Sequence, residues 1–473
     1  MALRTRLALA GGALALAGSV ALHAQNPRDR HNTGPESFTS RVVAAGLGNP
    51  WEVTWGPDGF LWATERTTFR VVRINPDDGT VHVALVLEGV YQSVDQDGLL
   101  GMALHPDLLR ARGTDYVYVA YVYDADPGAA VLRQLRLRRY TYDAGSQTLG
   151  APLTLLDGLP AHDDHGGGRL VFGPDRKLYL SRGDQGSNFL ANFCNPNRSQ
   201  DLPSAADVQA HDWTTYQGKI LRLNPDGSIP DDNPVIAGVR SHIYTWGHRN
   251  PQGLVFSPRG LLYEAEHGPS SDDEMNLIRS GGNYGWPEVA GYKDDRGYFY
   301  ANWSASSPAS CRSLTFNNLN PPPSVPRQAE SSWQHPDFVP PLATFFTVPP
   351  DYDFAKFGTA TVAPSGIDLY TAATIPGWRE SVLMTGMRAG AVYRIKLTPD
   401  GAAASGEPVE YFKTTNRYRD LAISPDGQRI FVSTDDHGVT QDGNARRSNA
   451  LANPGAILEF RYVSPSTDQT RNK

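Results

Sequence analysis

The chain has 473 residues, of which 40% are hydrophobic, 10% aromatic and 20% charged. These proportions support a buried core and exclude a wholly disordered or collagen-like chain. A formal net charge of −7 and a pI near 5.9 leave no dominant basic surface, so we expect no nucleic-acid partner. The 46 glycines and 36 prolines lie between short apolar runs, which favours strands joined by turns.

The first residues have the pattern of a secretory signal peptide. Arg4 and Arg6 precede a small, apolar stretch from Leu7 to Leu22, and a polar segment follows Ala24. The stretch is shorter than the roughly 20 residues that a membrane span needs. We therefore predict a signal peptide over residues 1–24, a single mature domain over 25–473, and a periplasmic or secreted protein that is not an integral membrane protein.

Secretion would place the two cysteines, Cys194 and Cys311, in an oxidising compartment. Pairing is allowed there, but their spacing does not predict whether they pair. Two cysteines provide neither a redox motif nor a thiolate zinc site.

One pattern recurs six times: an apolar run, a turn around a proline, and a second run rich in aromatic or branched residues. The prolines are Pro57, Pro106, Pro174, Pro258, Pro364 and Pro425. Each copy is typical of a β-hairpin, and the unequal intervals suit four-stranded blades of about 40 to 50 residues with loop insertions. We predict an all-β, six-bladed β-propeller with extended loop insertions and a core over about residues 39–462. A β-sandwich with coincidental turns is the alternative.

A first group of candidate functional residues lies in the segment HDDHGGGRLVFGPD. His165 is followed by three glycines, which let a ligand approach the backbone closely. An imidazole can accept a proton from a hydroxyl, and the adjacent Asp164 could orient the ring or raise its basicity. A loop histidine that only forms a hydrogen bond is the alternative.

Two further segments carry residues suited to a flat or anionic ligand. Arg249, Asn250 and Gln252 stand at the entrance of a predicted strand, where they could bind such a ligand or cap a turn. Arg417 and Arg419 are two positions apart, so both side chains face one side of an extended segment. Two guanidiniums on one face need an anion between them, and a polycarboxylate ligand would serve; a solvated charged strand is the alternative.

The segment EAEHGPSSDDEMNLIRSGGNYGWPEVAGYKDD is acidic and rich in glycine. Calcium binds six to eight carboxylate and carbonyl oxygens, which such a segment supplies. Because the segment lacks the spacing of an EF-hand, an acidic solvent-facing loop is the alternative.

Five segments, in the same order along the chain, closely resemble the soluble quinoprotein glucose and aldose dehydrogenases, which use pyrroloquinoline quinone (PQQ). They are DQDGLLGMALHPD, DHGGGRLVFGPDRKLYLSRGDQG, HIYTWGHRNPQGL, EHGPSSDDEMNLIRSGGNYGWPEVAGYKDD and NRYRDLAISPDG. The resemblance extends from about Thr39 to Tyr462 and implies a six-bladed propeller. It also implies that PQQ and calcium are the cofactors, that an aldose is oxidised at C1 to the lactone, that electrons pass to a soluble or membrane-linked acceptor, and that the protein is a homodimer.

The resemblance assigns roles to individual residues. It implies that His165 is the general base for the anomeric hydroxyl and that Arg249 stabilises the charge developing on the cofactor. The implied cofactor-binding residues are Asn250, Gln252, Thr361, Arg388, Arg417 and Arg419, and the implied substrate-side residues are Gln96, Asp164 and Phe189. The implied calcium ligands are the carbonyls of Gly268 and Pro269 beside the cofactor, and a separate structural set at Glu274, Tyr284, Ala290, Tyr292, Asp294 and Glu330.

The chain departs from the family mainly on the substrate side. Phe189 and His267 each replace a glutamine, Arg388 replaces a lysine, and the loop ending near Thr359 is shorter and lacks the family's aromatic residues. The sugar preference is therefore open, and we expect a range of aldoses broader than glucose. Two other functions fit a calcium-binding propeller: a lactonase, which would not need the arginine pair, and a non-catalytic, extracellular glycan-binding protein.

Overall fold

The computed structural model describes residues 33–93, 96–126, 128, 130–441 and 447–465. The predicted signal peptide, residues 1–24, lies outside these described residues. No helix in this part of the chain combines the length and apolar character that crossing a membrane would require.

The described chain begins with strand β1 (Phe38–Ala44) and then forms four-stranded antiparallel blades. Blade 1 contains β2 (Pro50–Trp55), β3 (Leu61–Glu65), β4 (Arg70–Ile74) and β5 (Val81–Val86). Blade 2 contains β6 (Leu99–Leu104), β7 (Tyr116–Asp124), β8 (Arg133–Asp143) and β9 (Thr148–Pro160). Blade 3 contains β10 (Gly167–Phe172) and β11 (Leu178–Arg182), then helix α1 (Ala205–Ala210), β12 (Lys219–Leu223), the small hairpin β13 (Val235–Ile236) and β14 (Val239–Arg240), and β15 (Ile243–Trp246).

The second half of the chain continues the same order. Blade 4 contains β16 (Pro251–Phe256), β17 (Leu262–Glu266), β18 (Asp273–Ile278), the small hairpin β19 (Tyr300–Ala301) and β20 (Arg327–Gln328), and β21 (Ala343–Phe345). Helix α2 (Phe354–Phe357) precedes blade 5, which contains β22 (Pro364–Tyr370), β23 (Ser381–Gly386), β24 (Ala391–Lys396) and β25 (Val409–Tyr411). Blade 6 contains β26 (Tyr418–Ile423), β27 (Arg429–Thr434), the small hairpin β28 (Thr440–Gln441) and β29 (Arg447–Ser448), and β30 (Ile457–Tyr462).

The first strand of each blade lines a central channel. A cavity of about 540 Å³ within the channel is lined by residues of β2, β6, β10, β16, β22 and β26. Arg169 on β10 crosses this channel: its Nη1 lies 2.7 Å from Glu52 Oε2 and 2.8 Å from Asp420 Oδ2, and its Nε donates to the carbonyl of Gln252 at 2.9 Å. One buried guanidinium thus joins blades 1, 3, 4 and 6. The six four-stranded sheets around this channel confirm the predicted six-bladed propeller.

Strands that pack between two blades are buried on both faces. On β7, Val117, Val119 and Tyr121 face the apolar cluster shared with blade 1. The alternate residues Tyr118 and Ala120 face the cluster shared with blade 3. Because side chains alternate along a strand, an uninterrupted apolar run is what such a strand requires.

The sequence repeat marks the inner hairpins in five blades but not in blade 5. Pro57, Pro106, Pro174, Pro258 and Pro425 lie in the turns between the first and second strands of their blades. Pro364 instead begins β22, and the turn to β23 spans residues 371–380, so the expectation that Pro364 lies in a hairpin turn is wrong. Proline is tolerated at the first position of a strand, as Pro50 and Pro251 also demonstrate here.

The ring is closed by strands from the two ends of the chain. Strand β1 pairs antiparallel with β30, with Phe38 opposite Tyr462 and Val42 opposite Leu458. The Arg41 side chain reinforces this pairing by donating from Nε to Glu459 Oε2 at 2.9 Å. Blade 6 therefore depends on both ends of the described chain.

A long insertion between β18 and β21 is covalently tied to blade 3. Cys194 and Cys311 form a disulfide, which answers the question that the sequence left open. Cys311 lies in the insertion, and Cys194 lies between β11 and β12.

Candidate active site

The predicted catalytic and cofactor-binding residues converge where the first strands of the blades begin. His165 precedes β10, Asn250 precedes β16, Thr361 precedes β22 and Arg417 precedes β26. Since the blades repeat one strand order around the ring, these positions share one mouth of the channel. A backbone hydrogen bond links blades 3 and 4 here: the N–H of Asp184, just after β11, donates to the carbonyl of Arg249, just before β16, at 2.8 Å.

His165 is buried and its ring is fixed by Asp184. Its Nδ1 lies 2.6 Å from Asp184 Oδ1, and the other oxygen of that carboxylate accepts from Trp286 Nε1 at 2.7 Å. Asp164 Oδ1 is 3.6 Å from the His165 Nε2 and accepts from the backbone N–H of His165 at 3.0 Å. The ring is thus held at Nδ1 by Asp184, which the sequence analysis did not name, while Asp164 lies beside Nε2. With Nδ1–H directed at a carboxylate, Nε2 is the nitrogen that can accept a proton.

The backbone around His165 needs a glycine at position 183. A Cβ added to Gly183 would lie 2.0 Å from the His165 carbonyl oxygen. His165 itself has φ of 45°, in the left-handed region that few side chains adopt without support. The loop is therefore packed against the end of β11 so closely that only glycine fits there.

The substrate-side residues predicted from the sequence lie beside this histidine. Gln96 Nε2 donates to Asp164 Oδ1 at 2.7 Å, which joins these two polar residues. Phe189 lies with its ring centroid 5.3 Å from the guanidinium carbon of Arg249. Trp286 lies against the same guanidinium, also at 5.3 Å. Arg249 is thus held against two aromatic rings.

The segment Arg249–Asn250 is anchored by a carboxylate that the sequence analysis missed. Glu266 Oε2 accepts from the backbone N–H groups of Arg249 and Asn250, at 2.6 and 3.2 Å. Arg249 Nη1 donates to the carbonyl of His267 at 3.1 Å, and Gln252 Nε2 donates to Asn250 Oδ1 at 2.8 Å. Among the described residues, the buried Arg249 Nε and Asn250 Nδ2 have no hydrogen-bond partner. Two donors at this mouth are therefore available to a ligand.

Glu266 also belongs to a buried acidic group on blade 4. His248, Glu264 and Glu266 place their polar atoms within 4.8 Å of one another, close enough to surround a single cation. Asn276 Nδ2 donates to Glu264 Oε2 at 2.9 Å and to Glu266 Oε1 at 3.3 Å. Burial raises the pKa of Glu264 well above its ordinary value. Alternate positions on β17 bring the two glutamates to one face.

The arginine pair encloses a protein carboxylate. Arg419 binds Asp435 through Nε at 2.8 Å and Nη2 at 2.9 Å, and Arg417 Nε donates to Asp435 Oδ2 at 3.1 Å. Although burial opposes ionisation, the charges of Arg419 and Arg417 lower the pKa of Asp435 to about 2. The anion expected between the guanidiniums is therefore supplied by the chain itself. Two arginines against one carboxylate still leave a net positive charge at this side of the mouth.

Thr361, Arg388 and the predicted calcium-binding carbonyls meet around Asp273, another residue that the sequence analysis did not single out. The Thr361 hydroxyl donates to Asp273 at 2.7 Å, and the N–H of Gly268 donates to the same carboxylate at 2.9 Å. The N–H of Arg388 donates to the carbonyl of Val362 at 3.1 Å, which brings it beside Thr361. Burial raises the pKa of Asp273 to about 6. Pro269 follows Gly268 in this turn, so its carbonyl belongs to the same backbone segment.

His267, which stands where the family has a glutamine, is committed to a neighbouring loop. Its Nε2 donates to the carbonyl of Pro364 at 2.7 Å. Burial and the neighbouring charge of Arg249 hold the pKa of His267 well below its ordinary value, so the ring is neutral.

Most members of the predicted structural calcium set form one acidic cluster. Glu330 accepts from the N–H of Ala290 at 2.9 Å, and Glu274 accepts from the N–H of Gly291 at 2.6 Å. The N–H of Asp294 donates to the carbonyl of Tyr292 at 2.8 Å, and the Asp294 carboxylate is close enough for its charge to raise the pKa of Glu330. Burial and neighbouring carboxylates raise the pKa of Glu330 to about 8.

The structure changes the membership of this acidic cluster at two residues. Asp272, which the sequence analysis did not name, joins the cluster, and burial raises its pKa to about 7. The Tyr284 ring points elsewhere: it stacks on His248 at 4.6 Å, and its hydroxyl donates to the carbonyl of Leu277 at 2.8 Å. The side chain of Tyr284 therefore serves packing, and only its backbone could contribute to the cluster.

Comparison with known proteins decides the family. The sequence profile described as "Glucose / Sorbosone dehydrogenase" matches residues 47–310 and 349–443. This chain belongs to the glucose/sorbosone dehydrogenase family. The family resemblance inferred from the five sequence segments is thereby confirmed.

Named members of this family, and solved structures, match over most of the chain. Quinoprotein glucose dehydrogenase B of Acinetobacter calcoaceticus is 43% identical over 440 residues, covering 90% of this chain and 91% of the relative. The aldose sugar dehydrogenase of Escherichia coli is 25% identical over 411 residues, covering 85% of this chain and 91% of that relative. The structure of the PQQ-bound aldose sugar dehydrogenase from Streptomyces coelicolor superposes with a TM-score of 0.62 at 28% identity, covering 91% of this chain and 99% of that one.

Proposed function

We propose that this protein is a PQQ-dependent dehydrogenase that oxidises glucose and other aldoses at C1 to the lactone. The observation that carries the proposal is the pairing of His165 with Asp184 at the channel mouth. Arg249 is adjacent, because its carbonyl accepts from the N–H of Asp184 at 2.8 Å. A buried imidazole backed by a carboxylate is suited to removing a proton from a hydroxyl. Membership of the glucose/sorbosone dehydrogenase family supports the same reaction class.

The residues at the mouth suit PQQ, a flat tricarboxylate quinone. Arg417 and Arg419 would bind its carboxylates, because their charge exceeds that of Asp435. The orphan donors Arg249 Nε and Asn250 Nδ2 would meet acceptor atoms of the ring system. Gln252, Thr361 and Arg388 complete the proposed binding set. When bound, PQQ supplies the acceptor for a hydride and its two electrons.

The chain's own residues would remove the proton and orient the sugar. His165 Nε2 would accept the proton of the anomeric hydroxyl, and Asp184 would stabilise the resulting imidazolium through Nδ1–H. Gln96, Asp164 and Phe189 would contact the sugar. Arg249, held against Phe189 and Trp286, would present N–H donors to the developing negative charge.

We also propose two classes of calcium site. The carbonyls of Gly268 and Pro269, in the turn anchored by Asp273, would hold an ion beside the cofactor. The cluster of Asp272, Glu274, Asp294 and Glu330 would hold a structural ion, because oxygen-only donors suit a hard cation. The carboxylates of Asp272, Glu274 and Glu330 are buried, whereas Asp294 is partly exposed and lies 3.8 Å from Arg296 Nε.

The remaining aspects of the proposal concern the cellular setting. We propose a periplasmic or secreted enzyme that passes electrons to a soluble or membrane-linked acceptor and forms a homodimer. These points rest on the signal-peptide pattern and on the resemblance to the family.

An absorbance experiment tests the proposed function. The pure protein receives PQQ and calcium, and glucose is then added without an external acceptor. We expect the oxidised-quinone band to disappear on addition of sugar. The Arg417→Gln/Arg419→Gln variant, which lacks the proposed carboxylate contacts, should need more PQQ to reach the same signal. Lactone hydrolysis without PQQ would instead identify a lactonase, and sugar binding without bleaching would identify a glycan-binding protein.

A further inference from the structure

The loop that carries Phe189 has few buried residues of its own. Its short 3₁₀ turn, Leu190–Asn192, contains no buried residue, and Leu190 is 54% exposed. Yet Phe189 lies 5.3 Å from the Arg249 guanidinium, at the mouth of the proposed active site. The position of Phe189 must therefore be fixed by contacts with another part of the molecule.

The insertion of blade 4 provides those contacts through aromatic packing. The rings of Phe189 and Phe316 meet edge to face, with centroids 5.5 Å apart. Phe316 in turn packs on Trp303 at 5.2 Å and on Phe193 at 5.7 Å. Phe316 and Trp303 belong to the insertion, and Phe193 belongs to the Phe189 loop. The cluster therefore crosses from one segment to the other.

Hydrogen bonds from Asn188 join the same two segments. Asn188 Nδ2 donates to the carbonyl of Ala301 at 2.8 Å, and Asn188 Oδ1 accepts from the N–H of Trp303 at 2.8 Å. Asn188 has φ of 62°, a conformation that asparagine tolerates better than most residues. One side chain thus binds the backbone of the insertion on both sides of Asn302.

The Cys194–Cys311 disulfide closes this arrangement covalently. Cys194 directly follows Phe193, and Cys311 lies five positions before Phe316 in the sequence. The cross-link joins segments 117 positions apart, so it restricts the loop far more than local contacts would.

We propose that the Cys194–Cys311 disulfide and Asn188 are positioning elements for sugar recognition, which hold Phe189 against Arg249 as one wall of the substrate side. The inference rests on the proposed function in naming the sugar as the molecule that meets this wall. The His165–Asp184 pair has an anchor outside these two segments, because the N–H of Asp184 donates to the carbonyl of Arg249 at 2.8 Å, just before β16. Removing the disulfide or the Asn188 side chain should therefore weaken sugar binding and leave proton removal by His165 intact.

Steady-state kinetics of the Cys194→Ser/Cys311→Ser variant test this division. We expect KM for glucose to rise by about tenfold, the scale of one apolar contact in a pocket, while kcat stays within about twofold. Asn188→Ala should shift KM in the same direction. Ser304→Ala is the matched control, because Ser304 lies in the same insertion and its hydroxyl bonds only within it, to Asn302.

A double-mutant cycle separates positioning from general destabilisation. In a Phe189→Ala background, removal of the disulfide should produce no further rise in KM, because the side chain that it positions is gone. An equal rise in both backgrounds, or an unchanged KM in the disulfide-free variant, would overturn the proposal.

Amide hydrogen exchange of the PQQ-free protein gives a readout that does not depend on activity. We expect faster exchange over residues 186–195 in the disulfide-free variant and unchanged exchange over 165–172. Unchanged exchange over 186–195 would refute the proposal that the disulfide holds the loop that carries Phe189. If the wild-type protein oxidises no aldose, the proposed function fails, but the exchange measurement still decides whether the disulfide holds the Phe189 loop.

Discussion

His165 reaches the channel mouth with its Nδ1 already bound to Asp184, so the two side chains act as a pair. Changing His165 to Ala should lower kcat by about a hundredfold or more, the usual scale for loss of a general base. Asp184→Asn should also lower kcat, because the amide can no longer stabilise an imidazolium. Both effects are measured as the rate of quinone bleaching in a single turnover, with PQQ titration as the control for cofactor binding. Turnover by His165→Ala within a few-fold of wild type would contradict the assignment.

Phe189 should influence which sugars the enzyme accepts. An apolar ring cannot form the hydrogen bond that an amide would form with a sugar hydroxyl, so discrimination at that hydroxyl is weak. We expect kcat/KM for glucose to exceed that for galactose, xylose and maltose by less than about a thousandfold, and Phe189→Gln to widen the difference. A wild-type preference for glucose above this limit over every other sugar would refute the expectation.

His242 gives the fold a specific sensitivity to acid. It is buried between Trp213 and Tyr216, and burial lowers its pKa from 6.5 to about 4. Between these two values the unfolded chain binds a proton that the folded protein does not, so stability falls as the pH drops from 6.5 toward 4. The full difference is about 3 kcal/mol. Thermal melts from pH 7 to pH 4 should show a shallower loss of Tm for His242→Gln than for wild type, and equal slopes would contradict this.

The sequence motifs predicted which side chains meet at the channel mouth, whereas the carboxylates that support them were not predicted. His165, Arg249 and Arg417 lie in motifs whose residue types match their proposed chemistry. Asp184, Glu266 and Asp435 reach them only through the fold, across separations of 17 to 19 positions. A carboxylate at the end of a second strand gives no local sign in the sequence of the group that it will bind.

At the scale of elements, the acidic cluster that we propose to bind a structural calcium joins β18 to the insertion between β18 and β21. A metal bound only by the folded state stabilises it by mass action, so chelation should lower Tm. Glu330→Gln, which removes one of the proposed ligands, should make Tm less responsive to calcium. Asp337→Asn, at an exposed position of the same insertion, is the matched control. Identical melting temperatures of the wild-type protein with and without chelator would remove the structural calcium site.

The strands themselves followed from the sequence more reliably than the turns did. The Pro-centred turns predicted the inner hairpins of five blades, and the repeat predicted six blades. The turn predicted at Pro364 in blade 5 is wrong because Pro364 begins a strand. Proline is compatible with both a turn and the start of a strand, so the sequence pattern does not distinguish them. The disulfide could not be predicted, because the approach of Cys194 to Cys311 depends on two loops from neighbouring blades.

At the scale of the whole molecule, stability depends on the closure of blade 6 by β1. Phe38 on this strand packs against Trp378, Tyr411 and Phe412. Removing residues 1–44 should expose these rings and leave β30 with an open edge, lowering Tm by more than about 5 °C if several kcal/mol are lost. A chain that starts at residue 33 is the control, because it keeps β1. Equal melting curves for the two truncated chains would show that closure contributes little.

The pairing of Arg41 with Glu459 spans 418 positions, nearly the whole described chain. During synthesis, β1 emerges first and has no partner until β30 emerges last. Contacts of such high sequence separation form slowly, since the entropy of closing a long loop opposes them. The ring therefore cannot be completed until β30 has been synthesised and can reach β1.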